Sequence, residues 1–237
     1  MKCGWLLAIL LGVGVLNAAH WGYDEHNGPS KWGEHYPECN GKEQSPINIL
    51  TKNTTSVERA LSIAYEADSK NIINNGHSVQ VNFTQKGGIT YQGKEYKLMQ
   101  LHFHTPSENT IDNVVYPLEM HLVHSSAEGE LLVIGVLFEE GGANAELQKI
   151  LSSAPKKNGG NNKLTKLNPR NLLPQSQAYY AFDGSLTTPP CSQKVQWVVL
   201  GEALSASKKQ IDGLHKIMHD NSRDVQPLNG REVKSAR

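Results

Sequence analysis

The chain has 237 residues, with 23 basic and 23 acidic side chains, so its formal net charge is zero. With that balance and no basic stripe, nucleic acid is not an expected partner. No acidic tail, internal repeat or low-complexity tract interrupts the chain, and its length suits one all-β or mixed domain.

Lys2 opens an apolar run from Trp5 to Leu16, followed by the small residues Ala18 and Ala19. A charged start, a short apolar stretch and a small-residue exit read as a secretory signal peptide over residues 1–19. Cleavage after Ala18 and cleavage after Ala19 both remain open. The alternative is an anchored N-terminal helix, but the run is short for a membrane span. The expectation is therefore an exported protein, secreted or periplasmic, with one domain over residues 20–237. No later segment is apolar enough to span a membrane, and the polar end from Asn229 to Arg237 argues against a lipid anchor. Cys3 would leave with the leader, so Cys39 and Cys191 remain. An even count in an exported chain implies a disulfide.

From His20 to Glu43 the chain is rich in Gly, Pro, Trp and charge, without periodicity. It reads as a coiled segment laid over the domain. Strands are predicted at Ile47–Leu50, Leu61–Tyr65, Val79–Phe83, Tyr96–His104, Leu118–His124, Leu131–Phe138, Ala178–Phe182 and Val195–Leu200. Turn signals separate them, among them Asn74-Asn75-Gly76, Gly87-Gly88, Glu128-Gly129 and Gly141-Gly142. Leu131–Phe138 is almost continuously apolar, as a strand buried on both faces requires. Helices are predicted at Ala145–Leu151, capped by Asn144, and at Ser207–Asp220. The fold class is α+β, mainly β: a large, twisted, mostly antiparallel central sheet with few peripheral helices. His215 and His219, four apart on the second helix, offer a weak metal pair and read as residues of an amphipathic surface.

Side chains alternate between the two faces of a strand. His102 and His104 therefore share a face while Phe103 points away. His121 lies in Glu119-Met120-His121-Leu122-Val123, another alternating run. If the two strands pair, three imidazoles converge. Three neutral imidazoles suit zinc and leave the fourth tetrahedral position open, the mark of a catalytic site. Gln100 shares the face of His102 and His104, and Glu119 that of His121. Such groups take the second imidazole N–H and so aim the ring.

In Ser185-Leu186-Thr187-Thr188-Pro189-Pro190-Cys191 the two prolines impose an extended backbone, which holds a threonine hydroxyl in one orientation. That hydroxyl can accept a hydrogen bond from a zinc-bound hydroxide while donating to a buried carboxylate, and Glu108 is the candidate. His77, in the turn Asn75-Gly76-His77, suits proton export, since imidazole titrates near neutral pH.

These stretches together resemble the α-class carbonic anhydrases, in a bacterial-like exported form. The matching text includes His20-Trp21-Gly22-Tyr23, Gln44-Ser45-Pro46-Ile47-Asn48-Ile49, Gln100-Leu101-His102-Phe103-His104, Glu119-Met120-His121, Tyr180 through Cys191, Trp197-Val198-Val199-Leu200 and Gln226-Pro227-Leu228-Asn229. The resemblance covers nearly the whole predicted mature chain in order. It implies reversible hydration of carbon dioxide to bicarbonate by a zinc-bound hydroxide. By the same resemblance His102, His104 and His121 hold Zn2+, Thr187 orients the hydroxide, and Glu108 accepts from Thr187. Thr188 lines the polar wall. His77 carries protons, with Tyr23 and Asn75 ordering water beside it. Val123, Val133, Leu186, Val195 and Trp197 form the apolar wall for CO2, and Cys39–Cys191 matches the disulfide of exported members. A homodimer is a further expectation. Thr105-Pro106-Ser107 replaces the Trp-Gly continuation of many animal members, Asp224 stands where proline is common, and Gln193 where glutamate is common. A zinc esterase and a non-catalytic binding module are the competing readings. The three histidines argue against the second, and comparison of CO2 with esters separates the first.

Overall fold

A computed structural model describes residues 21–66 and 68–237. The predicted signal peptide and His20 lie outside the described residues. Among these, thirteen strands form one mixed sheet. From one edge the strand order is Asn161–Lys163, Ser69–Asn74, Val79–Phe83, Lys94–His104, Leu118–Ser125, Leu131–Glu140, Gln193–Leu200, Tyr179–Ser185, Lys234–Ala236 and Thr55–Ser56. Pairing is antiparallel through most of this path, including both neighbours of the Leu118–Ser125 strand. It becomes parallel where Leu131–Glu140 meets Gln193–Leu200, with Val133 opposite Trp197.

The predicted strands are present, with ends moved by a few residues. Short strands such as Ser69–Asn74 and Lys234–Ala236 carry too few apolar residues to reveal an alternation, and they form because neighbouring strands supply backbone partners. The segment read as coil after His20 contains a short helix, Trp32–His35, between 3-10 turns at Pro29–Lys31 and Pro37–Asn40. Trp32 is buried there beside Cys39 and Cys191. Single turns carry no periodicity, so this order is tertiary in origin.

The two predicted helices run Ala145–Ser153 and Lys208–Met218. Asn144 caps the first by accepting from the Leu147 N–H. Ser207 and Gln210 form a reciprocal capping box on the second, a local sequence signature of a helix start.

One large apolar cluster, which includes Leu101, Phe103, Met120 and Leu122, packs on one face of the central strands. A smaller cluster, which includes Ile47, Val133, Phe182, Val195 and Trp197, packs on the other. The central strands are therefore apolar on one face and carry chemistry on the other. A bulge between Leu98 and Gln100 sets which is which. In an unbroken strand Leu98 and Gln100 would share a face. The extra residue, Met99, sends Leu98 to the large core and Gln100 to the opposite side.

Candidate metal centre

Register brings the three imidazoles together. His102 lies directly opposite His121, and His104 directly opposite Glu119, across the antiparallel pair. The three ring centroids are 4.5 to 5.3 Å apart, and one nitrogen of each ring lies within 4.8 Å of the other two. The other nitrogen of each ring is committed. His102 Nδ1 donates to Gln100 Oε1 at 2.9 Å, and His104 Nδ1 donates to the Asn221 carbonyl at 2.8 Å. His121 Nε2 donates to Glu119 Oε1 at 2.9 Å. These bonds set the tautomers and leave His102 Nε2, His104 Nε2 and His121 Nδ1 with their lone pairs available.

His104 Nε2 is fully buried and has no hydrogen-bond partner. A buried polar atom left alone is costly, and this one faces the two neighbouring rings. The donor set, three neutral nitrogens held by outer hydrogen bonds, fits a metal of the zinc type. Burial, and then the charge on His121, drives the His102 pKa down to about 3. The same causes place His104 well below the usual histidine range. For His121 burial acts the same way and is the largest single effect, but the Glu119 and Glu108 carboxylates together raise the pKa above its ordinary value. In the apo chain two of the three rings are therefore held neutral, as metal ligation demands.

Glu119 is held as firmly as the ring it orients. It accepts from the backbone N–H groups of Glu108 and Asn109, both at 2.8 Å, and from Asn109 Nδ2 at 2.8 Å. Gly135 faces His121 from the next strand, where a Cβ would come within 3.0 Å of Glu119 Oε1. A glycine here is a matter of space.

Glu108 is buried under the same site. Its Oε1 accepts from the Arg223 backbone N–H at 2.9 Å and lies 3.4 Å from His104 Nδ1. Burial raises its pKa to about 7, against the lowering effects of His121 and of a Thr187 hydrogen bond. Glu108 Oε2 nonetheless has no partner in good hydrogen-bond geometry. Thr187 and Glu108 are thus neighbours. Thr187 is buried and Thr188 half-buried.

The apolar residues named from sequence fall in the smaller cluster: Val133, Val195 and Trp197 buried, Val123 and Leu186 packed against them. The Trp197 ring meets His121 edge-on at 4.9 Å. Tyr23, Asn75 and His77 line a cleft of about 570 Å³. Asn75 Oδ1 accepts from the N–H groups of His77 and Ser78, which fixes the turn. The His77 ring stacks on Trp21 at 3.7 Å. Tyr23 is pushed above the usual tyrosine range by burial and by Glu108.

Cys39 and Cys191 form a disulfide. His215 Nε2 instead pairs with Asp220 at 2.9 Å. Among the described residues the one group of three or more potential metal ligands is His102, His104 and His121.

Two residues escaped the sequence reading. Asn221 orients His104 through its carbonyl, and its side chain also accepts from Thr105 N and donates to the His77 and Phe103 carbonyls. The Arg223 guanidinium donates to Gln44 Oε1 at 2.8 Å and to the Ser45 and Cys39 carbonyls. It also lies over the Trp32 ring. A polar segment far along the chain carries no signal for such contacts. Of the departures from the family pattern, Thr105 bonds to Asn221 and to the His219 carbonyl, and Gln193 accepts from the Glu43 N–H.

Comparison with known proteins agrees with this arrangement. Residues 27–237 match the model of the eukaryotic-type carbonic anhydrase family. A carbonic anhydrase of Klebsiella pneumoniae is 42% identical over 236 residues, covering 96% of each chain. One of Pectobacterium carotovorum is 39% identical over 234 residues, again covering 96% of each. Among solved structures, α-carbonic anhydrase from Thermovibrio ammonificans superposes with a TM-score of 0.89 at 41% identity, covering 92% of this chain and 99% of that one. The Photobacterium profundum enzyme gives 0.86 at 42% identity, covering 92% and 100%. The chain belongs to the α-class carbonic anhydrase family, a family of enzymes.

Proposed function

We propose that this chain catalyses the reversible hydration of carbon dioxide to bicarbonate and a proton, with His102 Nε2, His104 Nε2 and His121 Nδ1 holding one Zn2+. The observation that carries the proposal is the convergence of three imidazoles whose outer nitrogens are all hydrogen-bonded and whose inner ones include an orphaned, buried His104 Nε2. Zinc in such a site supplies hydroxide-strength nucleophilicity at neutral pH; carbonic anhydrase is itself the best-known case, with the pKa of water lowered from 15.7 to about 7.

The residues of this chain divide the remaining work. Carbon dioxide is apolar, so Val123, Val133, Leu186, Val195 and Trp197 hold it without a charge. Thr187 accepts a hydrogen bond from the nucleophile and donates to Glu108, which turns the nucleophile's lone pair toward the substrate. Its backbone N–H helps to hold the anionic product. A cation bound by the histidines favours the ionised form of Glu108 that can accept from Thr187. His77 takes the proton released in each turnover, with Tyr23 and Asn75 ordering the solvent beside it.

The family relationship and the disulfide support export after loss of residues 1–19, as a secreted or periplasmic protein. Among the described residues no helix is long and apolar enough to cross a membrane.

The rival activity is ester hydrolysis at the same site. Val123, Val133, Leu186, Val195 and Trp197 form a wall suited to a small apolar molecule, so specificity should lie with CO2. Measuring kcat/KM for CO2 and for p-nitrophenyl acetate on one preparation tests this. A higher value for CO2 supports the proposal, and a preference for the ester would overturn it.

A further inference from the structure

We propose that Asn109 is a positioning residue of the metal centre, acting on His121 through Glu119; this rests on the zinc site proposed above. Asn109 follows Glu108 in the chain and is fully buried. Its side chain makes two hydrogen bonds. Oδ1 accepts from the Ile47 N–H at 3.1 Å, and Nδ2 donates to Glu119 Oε1 at 2.8 Å. The first bond decides the second. A backbone N–H can meet only the oxygen of an amide side chain, so the amide nitrogen is left to face the carboxylate. Glu119 Oε1 is the same oxygen that accepts from His121 Nε2 at 2.9 Å. It is therefore shared between the ring that it aims and the amide that holds it.

The backbone does not do the same work. The N–H groups of Glu108 and Asn109 both donate to Glu119 Oε2, so they hold the far oxygen. Without the Asn109 amide, the His121 ring would be the one remaining hydrogen-bond partner of Oε1 among the described residues. An acceptor held by the ring alone moves with the ring and cannot aim it. Asn109 ties that oxygen to a fixed frame instead. Ile47 is fully buried in the smaller apolar cluster, and its carbonyl accepts from the Thr110 N–H at 3.2 Å. The orientation of His121 Nδ1 is thus set three residues deep, from Ile47 through Asn109 and Glu119. A partner that orients a ligating imidazole also raises metal affinity, so the Asn109 amide should be felt as hold on the metal.

The test is a double-mutant cycle of Asn109→Ala and Glu119→Ala. Zinc affinity is read by competition with a chelator, and urea unfolding of the metal-free variants runs beside it. Asn109→Ala should weaken zinc binding roughly threefold to tenfold, less than the 10- to 100-fold typical of losing a direct partner of a ligand. In the Glu119→Ala background the same change should alter affinity by less than about twofold, because the group through which Asn109 acts is gone. A loss of equal size in both backgrounds would overturn the proposal, since it would mark a residue that supports the fold and not His121. An unchanged affinity in the otherwise wild-type chain would overturn it too. Asn109→Asp keeps the size of the side chain and the acceptor for Ile47, and it carries the test if the alanine variant does not fold. At about pH 8, above the ordinary carboxyl range, it should weaken zinc binding at least as far, because an oxygen then faces Glu119 Oε1. A folded Asn109→Asp variant with wild-type affinity would overturn the proposal. A wild-type chain that binds no zinc would overturn the zinc reading and this proposal together. Tight zinc binding that is indifferent to Asn109 would overturn this proposal alone.

Discussion

His124→Gln should make the folded chain less sensitive to acid. His124 lies on the core side of the Leu118–Ser125 strand and is fully buried. Its Nδ1 donates to the Leu132 carbonyl at 3.2 Å, so its Nε2 accepts from the Tyr65 hydroxyl at 2.7 Å. Burial lowers its pKa to about 4, against two raising backbone contacts. The unfolded chain takes a proton at the ordinary value of about 6.5, whereas the fold resists it until about 4. The folded pKa is depressed, so the stability is present above about 6.5 and is lost as pH falls through that window. At about 1.36 kcal/mol per unit, the loss is about 2 kcal/mol between pH 7 and pH 5 and about 3 kcal/mol by pH 4. Glutamine keeps a donor and an acceptor but cannot charge. It should lower stability at neutral pH through poorer packing, yet remove this pH-dependent loss. Urea titrations of both metal-free proteins across that range give the difference directly. Stability curves that fall in parallel would refute the reasoning, because the acid sensitivity would then come from other groups.

Glu119→Gln turns one acceptor oxygen into a donor, so two of the four hydrogen bonds that Glu119 accepts are lost and the hold on His121 Nε2 weakens. Zinc affinity should fall roughly 10- to 100-fold in a competition titration with a chelator; unchanged affinity would contradict the role given to Glu119. Arg223→Met removes three guanidinium hydrogen bonds and leaves buried acceptors unpaired. It should cost about 3 kcal/mol in urea unfolding, and a change within experimental error would show that these contacts are replaced by water. Reducing Cys39–Cys191, which are 152 residues apart, should lower stability by about 5 kcal/mol in the chain-entropy model. A calorimetric comparison with and without reductant checks this, and coincident melting curves would count against it.

The central sheet was legible because its middle strands are long enough to display their alternation. Gln100 to His104 and Glu119 to Val123 announce a buried face and a chemical face with no knowledge of the partner strand. Ser69–Asn74 was not legible, since Ile72 and Ile73 fall on successive residues and mimic a loop. The Met99 bulge was also hidden, because it depends on pairing with the next strand rather than on local composition. The same boundary runs through the site. Imidazoles and carboxylates on strands could be placed by face, whereas Asn221 and Arg223 reach the centre from a segment without periodicity. His215 and His219 looked like a pair on one helix. The helix ends at Met218, and His219 follows it as the C-terminal cap with a positive φ, while the His215 ring pairs with Asp220.

The most direct test of the account is CO2 hydration by stopped flow on the purified mature chain, with its zinc content measured on the same sample. A chelated sample and a His104→Ala variant run beside it. The account predicts one zinc per chain and fast hydration, both lost on chelation and in the variant, with activity returning when zinc is restored to the wild type. A folded, zinc-loaded chain with negligible hydration, or one whose activity survives the loss of His104, would contradict it.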